Sequence, residues 1–280
     1  SNKAEIEQSV KDVALSWLAS GLDPNKSNFY RQSDVPEILE LSWILNCVTA
    51  KGLMNRSHAY KAATAINSLD EDKGISMGLF SYPVLMAADI LIFNATHVPV
   101  GPDQMQHLEM TRDIAGRFNH SYKKTFELPK AITQEADQII LGQDGRKMSK
   151  SYKNIIPLLS SEKVLKKAIA KIVTNSLEPG EPKDFNNCSV FSLFKHFSSV
   201  EEQNEFKESY KNGISWGDAK NKLFEKVNDH VLPIRDSYDS LSSNKDLINE
   251  LLDEGSSKVR PMAKELLLEV RESIGISKIS

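Results

Sequence analysis

Cysteine is nearly absent from this chain. Only Cys47 and Cys188 occur among 280 residues, far apart and outside any C-x-x-C pair, which argues against a structural zinc site. Two free thiols fit a reducing compartment. Long hydrophobic runs are missing too: the longest, Tyr82 to Phe93, is too short to span a bilayer and contains Asp89. No secretory signal pattern opens the sequence, so a cytoplasmic protein with no membrane association is expected. Positive charge is not in excess either. Lys and Arg number 35 against 38 Asp and Glu, for a net charge of −3, so any nucleic-acid contact has to come from local basic patches. Internal repeats, low-complexity tracts and heptads are lacking as well.

What is present is an ordinary globular composition, 40% hydrophobic and 26% charged, long enough for one large or two ordinary domains. An amphipathic helix comes first, with Val10, Val13, Ala14, Trp17 and Leu18 on its apolar face and Gly21 as its stop. A helix that opens a chain with such a stripe suits the middle of a fold, so a missing upstream segment is expected. Asn28 to Gln32 reads as a short buried strand. Asp34 and Pro36 announce a helix from Glu37 to about Thr49. Further helices are expected over 56–67, 78–93 and 102–118, with Pro83 tolerated in a first turn. Val98-Pro99-Val100 and Ile139-Ile140-Leu141 read as strands, and 119–136 as a polar connection. Strands alternating with helices indicate an α/β layer with a parallel sheet. With three strand candidates that sheet is thin. From Ser161 onward the pattern is helical. A long helix carries Pro233, a short one ends at Gly255, and the last opens at Pro261. The expected architecture is therefore an α/β domain over 1–156 followed by an all-helical domain over 157–280.

Three constellations carry chemistry. Lys147-Met148-Ser149-Lys150-Ser151 sets two lysines three residues apart in a polar loop after Gly142 and Gly145. Two ammonium groups so placed suit a pyrophosphate leaving group; the alternative is a loop that merely happens to be basic. Gly101-Pro102-Asp103-Gln104 follows a strand and opens a helix, where free N–H groups and the carboxyl end of a parallel strand meet. Asp103 suits ribose hydroxyls and Gln104 can donate or accept, although an ordinary capped helix would look similar. Tyr82, Met86 and Asp89 stand at i, i+4 and i+7 on one face of a largely apolar helix. They describe a slot for a flat aromatic group with one polar hydrogen. The alternative is a core helix whose Asp89 bonds to backbone. His58, His97 and His107 are isolated and read as structural. Lys163, Lys166, Lys167 and Lys171 form a strip that is either a solvated face or a phosphate-tracking surface.

Together these residues resemble a class I aminoacyl-tRNA synthetase, most closely the bacterial-type tryptophanyl family. Residues 147–151 match the KMSKS loop at every position, residues 82–91 look like the amino-acid-pocket helix, and 98–115 look like the G-x-D-Q segment. The resemblance implies a Rossmann-like catalytic domain and an anticodon-reading helical domain. It implies ATP with Mg²⁺, tryptophan and tRNA(Trp) as partners, and a homodimer. Lys147 and Lys150 would hold the leaving pyrophosphate, with Met148 and Ser149 nearby, while Gly101 and Asp103 would meet the ATP ribose. Tyr82 and Gln104 would meet the amino acid's polar end. Asp89 would accept the indole N–H, with Met86 and Val100 lining the ring. Met86 favours tryptophan, since the sister tyrosyl family typically carries Gln there; tyrosine is the runner-up, and a non-catalytic RNA- or ligand-binding paralogue stands beside both. One family signature is absent: none of the six histidines sits in a HIGH-type motif. A truncated chain with impaired activation is the expected explanation, and Ser1-Asn2 resembles the remnant of a cleaved tag.

Overall fold

Apolar residues at helical rather than strand spacing dominate this sequence, and the structure is correspondingly rich in helix. The computed structural model describes residues 2–67, 72–133 and 140–277. In chain order the elements are α1 (Lys3–Ala19), α2 (Glu37–Val48), α3 (Lys51–Met54), α4 (His58–Thr64), α5 (Met77–Leu91), β1 (His97–Pro99), α6 (Met105–Ser121), β2 (Lys130–Ile132), α7 (Glu162–Ala170), α8 (Ser189–Phe194), α9 (Val200–Lys211), α10 (Trp216–Ser243) and α11 (Lys245–Ser273). Among the described residues the sheet is β1 and β2, paired in parallel with His97 opposite Lys130 and Pro99 opposite Ile132. The class is mixed α/β with a small parallel sheet, as expected. Two details differ. Residues 28–32 form no strand, and β2 lies inside the stretch read as a polar connection. Ile139 falls outside the described residues.

The chain divides into two units, residues 24–137 with 249–280, and residues 1–23 with 138–248. This division does not coincide with the expected boundary at 156. The lysine loop belongs with the helical 138–248 segment, and the C-terminal helix belongs with the strands.

In the first unit, α2, α5, α6 and α11 share one core. Ile38, Leu41, Leu45, Val84, Leu91, Ile114, Phe118 and Val270 are almost completely buried there. Each such side chain contributes about 1.5–3 kcal/mol relative to exposure. Charged pairs tie α11 to α2: Arg260 Nη2 lies 2.9 Å from Glu37 Oε1, and Arg271 Nε lies 2.6 Å from Glu40 Oε1. Helix α11 runs without a break through Gly255 and Pro261, both read above as helix punctuation. Gly255 serves contact rather than termination. A Cβ there would sit 1.9 Å from the carbonyl oxygen of Phe29, so only glycine lets that backbone approach. Pro83 likewise sits inside α5, beyond its first turn.

In the second unit, α7, α8, α9 and α10 enclose an aromatic core. Phe206 and Tyr210 stack edge to face, with ring centres 4.9 Å apart. Cys188 is buried there, its Sγ 3.3 Å from the Tyr210 hydroxyl. Helix α1 packs on α10, and the Tyr238 hydroxyl donates to Asp12 Oδ1 at 3.1 Å. The buried side of α1 is Ala14, Leu15 and Ala19, while Val10, Val13 and Trp17 are exposed. The small residues allow close helix approach, which apolar periodicity alone did not reveal.

Candidate active site

In the unit containing the strands, α5 presents Tyr82, Met86 and Asp89 on one half-buried face. Ser76 caps the helix by accepting from Leu79 N at 3.2 Å. Asp89 is not bonded to backbone in the way a plain core helix would require. Both its carboxylate oxygens accept from Gln32 Nε2, at 2.8 and 2.9 Å. Burial raises its carboxyl above the ordinary carboxylate range, and the Gln32 bond opposes that rise. The Asp89 charge, after burial, also raises the Tyr30 hydroxyl. Gln32 was hidden in the sequence because it lay at the end of a supposed strand.

The second segment of the candidate site follows β1. Val100 N–H donates to Ile132 O at 3.1 Å, which fixes the backbone leaving the strand. Gly101 is extended, and Pro102–Gln104 form one tight 3₁₀ turn before α6. The expected helix from 102 therefore begins at Met105. Asp103 is exposed; Gln104 is half-buried.

A residue read above as structural joins the two segments. His107 on α6 is 5% exposed. Its Nε2 lies 2.6 Å from the Tyr82 hydroxyl and its Nδ1 lies 2.9 Å from Gln104 Oε1. Gln104 Nε2 in turn donates to Asp103 Oδ2 at 3.2 Å. These contacts fix the proton positions. A carboxylate only accepts, so the Gln104 amide nitrogen faces Asp103 and its oxygen faces His107. His107 Nδ1 must then donate, Nε2 must accept, and the Tyr82 hydroxyl gives its proton to His107. Burial lowers the His107 pKa, with the nearby His58 adding to the effect and Asp103 opposing it, which keeps the ring neutral as this chain requires. Tyr82 Oη is thereby left as an acceptor, suited to a cationic amine. The spacing of three between Gln104 and His107 at the start of α6 was the available signal.

The lysine loop belongs to the other unit. It starts on the return arm of a tight hairpin over 140–148: Leu141 and Lys147 bridge antiparallel, Gly142 N–H donates to Arg146 O at 2.8 Å, and Met148 N–H donates to Ile140 O at 2.8 Å. Lys147 and Lys150 are exposed; Met148 and Ser149 are half-buried. Met148 packs against the helical core and lines an apolar cavity of about 120 Å³ with Ile156, Ile169 and Leu223. The Ser149 and Ser151 hydroxyls lie 2.7 Å apart. Asp144 accepts from Asn154 Nδ2 and from Arg146, and its carboxyl is lowered to about 2, chiefly by the Asn154 bond. On α7, Lys163, Lys166 and Lys167 lie exposed, opposite buried Leu165, Ala168 and Ile169.

The structure thus brings Tyr82, Asp103 and Gln104 into one hydrogen-bonded chain and sets Met86 and Asp89 on the Tyr82 face. Lys147 to Lys150 run from the return arm of the 140–148 hairpin into the turn that follows it. This chain belongs to the class I tRNA synthetases of the tryptophan and tyrosine group, whose family profile matches residues 1–231; it is an aminoacyl-tRNA synthetase. It is 51% identical over 275 residues to a tryptophan–tRNA ligase of Neisseria meningitidis, covering 97% of this chain and 82% of that protein. It is 49% identical to the tryptophan–tRNA ligase of Bordetella parapertussis, covering 99% of this chain and 62% of that relative. A crystal structure of tryptophanyl-tRNA synthetase from Campylobacter jejuni with ADP and tryptophan is 43% identical, with a TM-score of 0.88, covering 98% of this chain and 85% of that one.

Proposed function

We propose that this chain carries the tryptophan and ATP sites of a tryptophan–tRNA ligase. The observation that carries the reading is Asp89, a half-buried carboxylate on the Met86 face of an apolar helix, in a chain 51% identical to a tryptophan–tRNA ligase. The tryptophan carboxylate attacks the α-phosphate of MgATP, tryptophanyl-adenylate forms and pyrophosphate leaves. A ribose hydroxyl at the end of tRNA(Trp) then takes the tryptophanyl group and releases AMP. The protein's work is positioning and charge stabilisation.

In this reading Asp89 accepts the indole N–H beside Met86 and Val100. Tyr82, polarised as an acceptor by His107, receives the α-ammonium together with Gln104. Gly101 offers close backbone approach to the ribose, and Asp103 accepts from its hydroxyls. Lys147 and Lys150 neutralise the growing charge on pyrophosphate, with the Met148 backbone and Ser149 beside them. Mg²⁺ would accompany ATP and offset part of the charge of its phosphates. The helices beyond 157 read the tRNA anticodon. The protein acts as a homodimer in the cytoplasm, where translation runs.

Amino-acid-dependent ATP–pyrophosphate exchange, with tryptophan and tyrosine in parallel, tests the reading. Tryptophan-specific exchange supports it, and tyrosine-specific exchange replaces it with the sister activity. If exchange is silent, equilibrium titrations with each amino acid decide: tryptophan binding without exchange supports the pocket assignment, and binding of neither overturns it.

A further inference from the structure

We infer that Asn154 is the positioning residue of the lysine loop: its side-chain amide holds the backbone at Lys147 and Ser149 in the shape that presents both lysines to pyrophosphate. The inference deepens the function proposed above and rests on it. Asn154 lies outside the five-residue motif, yet it is only 3% exposed on a largely exposed loop. Its Oδ1 accepts from Ser149 N–H at 2.8 Å. Its Nδ2 donates to Asp144 Oδ1 at 2.7 Å and to Lys147 O at 3.1 Å. Its own carbonyl accepts from Gln143 N–H at 2.9 Å. One side chain therefore touches the loop before, at the start of and inside the motif.

The neighbouring residues are built around this amide. A Cβ on Gly142 would lie 2.5 Å from Asn154 Cγ and 2.6 Å from its carbonyl oxygen, so glycine is needed for the amide to seat. Asp144 is anchored from the far side by Arg146, whose Nη2 lies 2.6 Å from Asp144 Oδ2 and whose guanidinium lies 4.8 Å from the Tyr152 ring centre. Asp144 and Arg146 are the charged side chains linked to the amide. The set consumes every donor the amide has. Lys147 and Lys150 are left exposed on a backbone whose course is fixed between them. Fixing the backbone in advance spares the ordering cost when the anion arrives.

Two substitutions separate this role from simple folding. Asn154→Ala removes all three side-chain bonds. Asn154→Asp keeps the shape and the Ser149 bond but turns an acceptor toward two acceptors, Asp144 and Lys147 O. Titrations use magnesium pyrophosphate and, separately, tryptophan, and amide hydrogen exchange reads Ser149. We expect Asn154→Ala to weaken pyrophosphate binding about tenfold, the scale of a lost hydrogen bond, with tryptophan affinity unchanged and Ser149 exchange accelerated. Asn154→Asp should show the same defect at neutral pH and recover partly in mild acid, where the introduced carboxyl group, once protonated, can again donate to one of its neighbours. Asn154→Ala should show no such recovery. Equal losses for pyrophosphate and tryptophan, or unchanged Ser149 exchange in both variants, would overturn the assignment. A parent chain that binds neither ligand would overturn the proposed function instead, and the Ser149 measurement would then decide the loop-positioning role by itself.

Discussion

The two units hold their candidate residues by different means. The strand-bearing unit uses polar groups bonded to one another, with His107 buried and Tyr82, Gln104 and Asp89 half-buried. Tyr82, His107, Gln104 and Asp103 bond in series, and Gln32 clasps Asp89. The loop unit does the reverse, with exposed charges on a hairpin pinned by one buried amide. The difference follows the ligands proposed for each. A small amino acid is told from its analogues by unpaired buried polar groups, which make errors expensive. A pyrophosphate is met by charge, which works over longer distances and needs less exact contact.

The sharpest way to break the comparison is to damage one unit and watch the other. Gly255→Ala forces a methyl group against the Phe29 carbonyl, and overpacking of this kind costs about 1–3 kcal/mol. Hydrogen exchange should quicken in residues 24–67 and 249–277 and stay unchanged in the aromatic core around Phe206 and Tyr210; equal loss in both would mean the units unfold as one. Asp89→Ala comes next. Removing a bond to a charged acceptor costs about 1.5–3 kcal/mol, so tryptophan affinity should fall by ten- to a hundredfold with ATP affinity retained. Calorimetry with each ligand checks this. A smaller effect is expected for Lys147→Ala or Lys150→Ala. Each loses an exposed charge contact, so pyrophosphate binding should weaken several-fold with a reduced salt dependence, while tryptophan titrations stay level.

The smallest effect is one of pH. His107 has its pKa lowered from 6.5 in the folded state. The unfolded chain therefore takes up the proton first, and the neutral ring contributes its full stability only above about pH 6.5, losing it as pH falls below. Protonation would also turn Nε2 into a donor and take away the acceptor it offers Tyr82. Tryptophan affinity should then decline in mild acid, and Tyr82→Phe should flatten that decline.

Much of this was legible in the sequence because local patterns carried it. The spacing of Tyr82, Met86 and Asp89 is a helix face wherever the helix lies, and the lysine motif is contiguous. What stayed hidden depends on distant partners. Gly255 reads as a helix stop until Phe29, far away in sequence, is seen against it. Three-residue β2 shows no alternation, and its strand character comes from pairing with β1. Val13 and Trp17 read as part of the buried stripe with Ala14, yet the buried side of α1, which packs on α10, is Ala14, Leu15 and Ala19. Gln32 and Asn154 escaped because a single polar residue announces nothing until its partners are known. The hairpin carrying the lysines also falls in with the helices rather than the strands, and Met148 packs on the aromatic core there.

The most direct measurement is equilibrium binding of tryptophan and tyrosine to this chain and to its Asp89→Ala variant. The account predicts that the parent prefers tryptophan by at least about tenfold, the scale of one well-placed hydrogen bond, and that Asp89→Ala lowers tryptophan affinity by about ten- to a hundredfold. Equal binding of both amino acids by the parent, or tryptophan affinity left unchanged by Asp89→Ala, would contradict it.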